Sequence, residues 1–268
     1  MAITVTGASA GSLNQFNQIQ TRVNQYDQQL ASGKRINESA VDPAGLQVFL
    51  QLQGQELGNN TAIKNSLDGI SALQIAEGSV NQVNDSLQQI RELSVQAQNG
   101  TLNSNDKASL QKQADALLEG IKDSLSQSSF NGQSLLSQDG ELKLQTGPDS
   151  ENSQNITTYN LADTLDELGL FSIDITESAA LDQLDNAQDF LTTVSSEIGA
   201  NQNRLDSTIN QLAETSLNSA EAASRIGDTD YAKALSERSA ALVQQEVGIA
   251  MQAQANANRG LVLNLLAS

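Results

Sequence analysis

The sequence predicts a mainly α-helical protein, with coiled-coil terminal helices and a long-helix bundle that carries a small β-hairpin region. Three features of the 268-residue chain carry this prediction. Apolar residues recur at alternating steps of three and four at both ends and through the middle, which is typical of helices that pack on other helices. Only 2 prolines are present, which favours long uninterrupted helices. One short region, at about 138–175, alternates apolar and polar residues as strands do.

The first predicted helix has a single narrow apolar seam and ends at Ser32, where Gly33 provides a C-terminal cap. Gln and Asn fill its other faces, so its surface is polar but nearly uncharged. Such a surface permits close contact between helices without burying ions. The seam comprises Leu13, Phe16, Ile19, Val23, Tyr26 and Leu30.

The second predicted helix begins at Asp42-Pro43, because Asp caps helix N-termini and Pro is favoured at the first helical position. Its apolar residues keep the helical period as far as Ala97, and Asn99-Gly100 follows as a stop signal. Glycines weaken the middle of this helix. A break near Gly58-Asn59-Asn60 therefore stays open at this point.

Four further segments complete the middle of the chain. Helical periodicity predicts a short helix over 110–125 and a long helix over 181–226. Alternation predicts a hairpin whose two short strands are 142–145 and 156–159. The segment 173–175 is a candidate for a further extended piece. We expect the helices to pack antiparallel in a bundle.

The last segment, 235–266, is the most apolar and has two adjacent ladders of residues. One ladder repeats every seven residues and comprises Leu235, Leu242, Ile249 and Leu263. The other steps by three and four and comprises Ala240, Val243, Val247, Ala250, Gln254, Ala257 and Leu261. Gln and Asn residues interrupt the apolar run, so the segment is not predicted to cross a bilayer. Its expected neighbours are protein.

Charge is sparse at both ends of the chain. Residues 1–33 hold two charged side chains and residues 239–268 hold two more, whereas the whole chain has 46. The two ends are therefore predicted to lie together in one low-charge environment. The net charge of −18 argues against nucleic acid or an anionic membrane as a partner.

Composition also excludes several kinds of active site. The chain has no Cys and no His, so it has no thiol nucleophile, Ser-His-Asp triad or ordinary zinc site. Four carboxylates near the predicted hairpin are interpreted as a solvated acidic surface rather than a glycosidase pair. They are Asp163, Asp166, Glu167 and Asp174. The sequence thus predicts no enzyme activity and no catalytic, cofactor-binding or metal site.

The first residues have neither a basic region nor a long apolar region, so no cleaved signal peptide is predicted. This leaves two locations open: the cytoplasm, or the exterior after export by another route.

Ordered motifs along the chain resemble those of bacterial flagellins. The matching segments are 30–37 (LASGKRIN), 42–46 (DPAGL), 90–97 (IRELSVQA), 130–132 (FNG), 250–256 (AMQAQAN) and 264–266 (NLL). Pro43 departs from the family pattern, which has another residue there. The family's large outer domains are inserted where this chain has only the segment 138–170, so it resembles a short flagellin.

The resemblance implies an inner domain of coiled terminal helices, residues 1–42 and 229–268, that forms the core of a filament. It implies an outer, rod-like domain over 43–228. The implied function is that of a structural subunit that self-assembles into the extracellular flagellar filament for swimming. The implied partners are other copies of the chain, a flagellar export chaperone, and the filament cap and hook-junction proteins, with neither nucleic acid nor membrane. Export through the flagellar type III channel would account for the missing signal peptide.

Two sets of functional residues follow from the ladders and the resemblance. The predicted subunit interface comprises Leu13, Phe16, Ile19, Val23, Leu30, Leu235, Leu242, Val243, Val247, Ile249, Ala250, Leu261 and Leu263. A patch that innate immune receptors recognise in some flagellins matches Gln89, Leu93 and Gln113 here. Receptor-active members of the family carry Arg and Glu in place of Gln89 and Gln113.

Other functions were weighed against the filament subunit. A hook–filament junction protein of the same assembly has similar terminal helices and stays as the alternative. An enzyme built on this frame would need an inserted catalytic domain, for which 138–180 is too short. A simple coiled-coil binding module would not explain two matched, low-charge ends.

Overall fold

A computed structural model describes residues 6–267 of the chain and, among these, the side chains of residues 14–258. This part of the chain is mainly α-helical, as predicted, with short antiparallel strand pairs. The elements in order are α1 Thr6–Ser32, α2 Pro43–Ala97, α3 Ser104–Gln127, β1 Ser129–Phe130, β2 Gln133–Ser134, β3 Ser137–Gln145, β4 Ser153–Asn160, α4 Leu161–Glu167, α5 Ala179–Gly227 and α6 Tyr231–Ala267.

The chain divides into two compact units, which we call the terminal unit and the middle unit. The terminal unit is Met1–Gly54 with Asn218–Ser268, and the middle unit is Gln55–Leu217. Helices α2 and α5 contribute residues to both units. The units therefore divide within these helices, whereas the predicted domains divide at helix ends, at 42/43 and 228/229.

Helix α2 is continuous from Pro43 to Ala97, so there is no break at Gly58. Its start is capped as predicted, because the Asp42 Oδ1 atom accepts a hydrogen bond from the Gly45 N–H at 2.8 Å. Gly58 instead permits a close approach. A Cβ atom on Gly58 would lie 2.7 Å from the Pro148 Cβ atom in the turn between β3 and β4.

Strands β3 and β4 form the predicted hairpin, and both are longer than predicted. Leu142 pairs with Ile156 in an antiparallel register. Ile156 is buried and Leu142 partly buried, because alternate residues face the helices of the middle unit. The Asn65 side chain of α2 donates a hydrogen bond to the Gln145 carbonyl at 3.0 Å, which fixes the hairpin on the helix.

The predicted β-region is wrong beyond Asn160, where a short helix begins. The Asn160 side chain accepts a hydrogen bond from the Asp163 N–H and caps α4. Leu161 and Leu165, four residues apart on one face of α4, are both fully buried. This Asn cap and spacing are a helix signal in the sequence, but the segment is only two turns long.

The segment 173–175 does not form a strand, although the backbone of Ile173 is extended. The Gln111 side chain of α3 forms hydrogen bonds to the backbone of this segment, as a neighbouring strand would. Its Nε2 atom donates to the Ile173 carbonyl at 3.0 Å, and its Oε1 atom accepts from the Ile175 N–H at 3.0 Å. Ile173 and Ile175 can therefore be buried without an unpaired backbone.

The middle unit has one apolar core, made where α2, α3, α4, α5 and the hairpin meet. Burying each large aliphatic side chain there contributes roughly 1.5–3 kcal/mol. The largest fully buried side chains are Val80, Leu87, Ile90, Ile121, Leu125, Leu161, Leu165, Leu170, Ile175, Leu184, Leu191 and Leu205.

Candidate assembly surface

The segment that follows α1 and the segment that precedes α6 lie side by side within the terminal unit. Gly33 adopts a φ of +71°, which ends α1 in a left-handed conformation, as the cap prediction requires. The chain then pairs with the segment after α5. The Arg35 N–H donates to the Gly227 carbonyl at 2.7 Å, and the Thr229 N–H donates to the Gly33 carbonyl at 2.9 Å.

An ion pair reinforces this junction. The Lys34 Nζ atom lies 2.6 Å from the Asp228 Oδ1 atom, and the Ser224 hydroxyl donates to the Asp228 Oδ2 atom at 2.6 Å. The hydrogen bond from Lys34, followed by that from Ser224, lowers the pKa of the Asp228 carboxyl below its ordinary value. The junction thus holds the start of α6 beside the end of α1.

Helices α1 and α6 pack antiparallel beyond the junction. Their direction follows from two pairs, since Gln20 bonds to Gln245 whereas Asp27, further along α1, bonds to Arg238. The apolar seam of α1 is used here: Ile19 and Val23 are only 5% exposed and pack with Ala241. Two residues of the apolar seam predicted for α1 are therefore buried within the chain.

Of the two predicted apolar ladders, only Leu242 packs at the contact of α6 with α1. The rest of this contact face consists of small and polar residues, whose buried or partly buried positions alternate by four and three. They are Ala234, Arg238, Ala241, Gln245, Gly248 and Gln252. Sequence reasoning missed this face because it searched for large apolar residues. The seven-residue repeat of Ala234, Ala241 and Gly248 was the signal that could have revealed it.

Several large apolar residues in the described part of α6 are left at the surface instead. Leu235 is 54% exposed, Val243 59%, Val247 56% and Ile249 52%. Successive helical residues are about 100° apart. Val243 and Val247 therefore point away from the face that contains Ala241. We call the residues Leu235, Val243, Val247, Ile249, Ala250 and Met251 the outward face of α6; all six are exposed.

Of the other six residues of the predicted interface, three are partly buried and three have side chains outside the described part of the chain. Phe16, Leu30 and Leu242 are partly buried, and Leu242 packs beside the contact of Ile19 and Val23. Leu13, Leu261 and Leu263 lie outside the residues whose side chains are described. The structure thus buries Ile19 and Val23 of α1 in a contact within one chain and leaves five predicted residues of α6 exposed. Contact between subunits stays a prediction for all of them.

The predicted receptor patch forms one surface on the middle unit. Gln89 and Leu93 of α2 and Gln113 of α3 line the same shallow groove, which has a volume of about 450 Å³. Both glutamines are exposed, while Leu93 is partly buried against the core. The Gln113 amide donates to the Ser109 carbonyl of its own helix at 3.4 Å.

In the described part of the chain, none of the helices is long and apolar enough to cross a membrane. Among the same residues, no group of three or more Asp or Glu side chains is arranged to hold a metal ion.

The two ends of the chain match a known family. A family model for the bacterial flagellin N-terminal helical region matches residues 3–141, and one for the C-terminal helical region matches residues 181–266. The chain belongs to the bacterial flagellin family.

Individual flagellins are similar over nearly the whole chain. A flagellin of Halalkalibacterium halodurans is 35% identical over 244 residues, which cover 89% of this chain and 90% of the relative. A flagellin of Bacillus subtilis is 34% identical over 306 aligned positions, which cover 99% of this chain and all of the relative. This flagellin is thus a short form without large variable domains.

A solved structure shares the fold. A putative flagellar hook-associated protein from Vibrio parahaemolyticus superimposes with a TM-score of 0.58 and covers 70% of this flagellin and all of that chain. At 15% identity the likeness concerns the fold alone. It does not distinguish a filament subunit from a junction protein.

Proposed function

We propose that this flagellin is the structural subunit of an extracellular flagellar filament that serves swimming, and that it assembles through the outward face of α6. The observation that supports the proposal is the exposure of Val243, Val247 and Ile249 on a helix whose other face already packs on α1. A helix that is packed on one side and leaves large apolar residues exposed on another needs a second neighbour. The second neighbour is another copy of the chain.

Burial of this face would favour assembly strongly. Fully burying a Val, Leu or Ile side chain contributes roughly 1.5–3 kcal/mol. The four largest aliphatic residues of the outward face are each about half exposed. Burying the remaining half of each would still contribute several kcal/mol per subunit. Residues 239–268 hold only two charged side chains, Glu246 and Arg259, so few ions would have to be buried with this face.

A hook–filament junction protein is the second candidate, and the fold likeness above fits both. The matches to flagellins over most of the chain favour the filament subunit. The number of copies per flagellum distinguishes them. A filament subunit is present in great excess over the hook protein, whereas a junction protein is not.

The same proposal includes a route and partners. As a filament subunit, the chain passes unfolded through the flagellar type III channel. An export chaperone binds it before export, the filament cap directs its insertion, and the hook-junction proteins hold the first subunits. Membership of the flagellin family supports this part of the proposal.

Negative-stain electron microscopy of the purified protein tests the proposal. In a polymerising salt such as ammonium sulfate, we expect long helical filaments that pellet on ultracentrifugation and elongate from sheared seeds. A protein that stays monomeric with added seeds, across salts and concentrations, would exclude the filament subunit.

A further inference from the structure

The chain contains two Asn-Gly dipeptides, and the structure holds them in different ways. Asn99-Gly100 lies in the loop between α2 and α3, whereas Asn131-Gly132 is the turn that joins β1 to β2. In such a dipeptide the glycine backbone nitrogen can attack the asparagine side-chain carbonyl carbon, because glycine has no Cβ atom to obstruct the approach. The two positions therefore place the same reactive groups on two different backbones.

The Asn99 side chain is held by Thr101. Its Oδ1 atom accepts one hydrogen bond from the Thr101 backbone N–H at 3.1 Å and another from the Thr101 hydroxyl at 3.0 Å. When a nucleophile attacks the Cγ atom of Asn99, negative charge develops on this oxygen, and fixed donors there stabilise the charge as an oxyanion hole does. A bond from Oδ1 to the residue two positions on also folds the side chain back along the backbone of Gly100.

Gly100 supplies an accessible nucleophile. The residue is exposed, and a Cβ atom placed on it would have no described neighbour within 4 Å. Within residues 14–258, the Gly100 N–H donates no backbone hydrogen bond. Solvent can therefore reach the Gly100 nitrogen and remove its proton, and packing does not oppose its movement towards the Asn99 Cγ atom.

The second dipeptide is restrained by its hairpin. Asn131 has a φ of +50° and Gly132 a φ of +78°, the signs that a two-residue type I′ turn requires. On either side of them, Phe130 pairs with Gln133 in the antiparallel register of β1 and β2. Ring closure between the Asn131 side chain and the Gly132 nitrogen would require the backbone between them to rotate. That rotation would break the turn, so we expect this dipeptide to be protected.

We propose that Asn99 is a site of spontaneous covalent modification, at which the side-chain amide is lost and a carboxylate is gained. The Gly100 nitrogen forms a bond to the Asn99 Cγ atom, the Cγ–Nδ2 bond breaks, and the amide leaves as ammonia with the proton from Gly100. Water then opens the cyclic imide, adding its hydroxyl to a carbonyl carbon and its proton to the Gly100 nitrogen. Opening at Cγ gives aspartate, and opening at the backbone carbonyl carbon gives isoaspartate.

The modification changes the charge at the edge of the groove between α2 and α3. The Asn99 N–H donates to the Gln96 carbonyl at 3.1 Å, and Gln96 lines this groove beside Leu93. Each modified copy gains one negative charge there, and the modified fraction rises with the time since synthesis. The inference does not depend on assembly through α6, because it concerns the chemistry of a loop in the middle unit.

Peptide mass spectrometry tests the proposal on the full-length folded protein. The protein is incubated at mildly alkaline pH and digested briefly with trypsin, which places the two dipeptides in separate peptides, 92–107 and 123–143. Fragmentation of these peptides measures amide loss at Asn99 and at Asn131. In the folded protein we expect Asn99 to react at least about tenfold faster than Asn131. In urea, where both backbones are free, the two rates should become similar.

Two variants test the two groups that act on Asn99. Gly100→Ala adds a Cβ atom in open space at a residue whose φ is not left-handed, so the fold should be kept while the reaction slows about tenfold or more. Thr101→Val removes the hydroxyl donor and should slow the reaction about two- to fivefold. Thr176→Val is the matched control, because Thr176 makes the same two bonds to Asp174 at 2.9 Å and 2.6 Å. It should leave the rate at Asn99 unchanged.

The outcomes separate the steps of the proposal. Amide loss at Asn131 that is as fast as at Asn99 in the folded protein would overturn the assignment of the site. If Gly100→Ala reacts at the rate of the parent, attack by the Gly100 nitrogen is wrong. If Thr101→Val reacts at the rate of the parent, the Thr101 hydroxyl does not activate Asn99. Circular dichroism of each variant checks that its helices are those of the parent.

Discussion

At the scale of single residues, Asp228 connects the two terminal helices through charge. Its carboxylate accepts hydrogen bonds from Lys34 and Ser224 at the point where the chain pairs with the end of α1. The side chains of Lys34 and Asp228 are 46% and 42% exposed, so solvent weakens the pair. The contribution to stability is therefore small but depends on pH.

The direction of this dependence follows from the pKa. The pKa of Asp228 is lowered in the folded chain. The stability it contributes is thus present above the ordinary Asp pKa of about 4 and is lost as pH falls through the lower, folded value. Asp228→Asn should lower stability at neutral pH and remove this part of the acid sensitivity. Urea unfolding at pH 7 and at about pH 3 measures both effects. Equal destabilisation at the two pH values would contradict the role of the ionised Asp228 carboxylate. The control is Asp206→Asn, which changes an exposed carboxylate of the middle unit.

The groove between α2 and α3 gives a second prediction at this scale. Gln89 and Gln113 are neutral where receptor-active flagellins carry Arg and Glu, so two charged contacts are absent. Each is worth roughly 1.5–3 kcal/mol if hydrogen-bonded in a complex. We expect weak or absent signalling by the monomer in a reporter-cell assay. Gln89→Arg with Gln113→Glu should increase it, while Leu93→Ala in that variant should reduce it again. Full potency of the parent would refute the prediction.

Single residues also show what the sequence could and could not predict. The Asp42 cap and the Gly33 turn depend on neighbours in the chain, so local chemistry was sufficient to predict them. The bond of Gln111 to both Ile173 and Ile175 joins residues more than 60 positions apart. No local pattern encodes such a contact, which is why the sequence did not predict it.

At the scale of elements, glycine has opposite roles along α2. Gly69 is buried where the helix meets the hairpin, and a Cβ atom there would collide with the Leu144 side chain and lie 3.3 Å from Leu205. Gly78, further along the same helix, is exposed, and a Cβ atom there would have no described neighbour within 4 Å. Sequence periodicity assigned both only a cost to helix formation.

A pair of substitutions separates these roles. Gly69→Ala should destabilise the protein by about 1–3 kcal/mol, because the added methyl overpacks the contact with the hairpin. Gly78→Ala should stabilise it by about 0.5–1 kcal/mol, because Ala is the better helix former. Thermal unfolding followed by circular dichroism measures both. The same sign for the two variants would contradict the described contact between α2 and β3.

Among elements, long periodic segments were predicted well and short ones were not. Helices α2, α3 and α5 repeat their apolar pattern over many turns, so their existence followed from the sequence. Helix α4 has seven residues, too few for a period to be recognised beside the alternating residues of the hairpin. The inner face of α6 was missed because close helix packing there uses small residues.

At the scale of the whole molecule, we propose that α6 is a helix with two partners. One is α1 of the same chain, held by small residues and polar pairs. The proposed second partner is a neighbouring copy, which would cover the outward face. The presence of apolar ladders was predictable from the sequence, but their distribution between contacts within and between chains was not. That distribution depends on which face packs first, and periodicity alone does not determine it.

Polymerisation of Val247→Asp tests this claim most directly. Val247 is 56% exposed in the single chain, so a carboxylate there is solvated in the monomer. In the polymer it would be buried beside a low-charge helix, at a cost of several kcal/mol repeated in every subunit.

Asn203→Asp, an exposed site on α5, adds the same charge elsewhere and is the control. The measurement is the critical concentration for seeded assembly, together with the melting of the monomer. The account predicts unchanged melting with no elongation for Val247→Asp, and normal elongation for the control. Assembly of Val247→Asp at the critical concentration of the parent would contradict it.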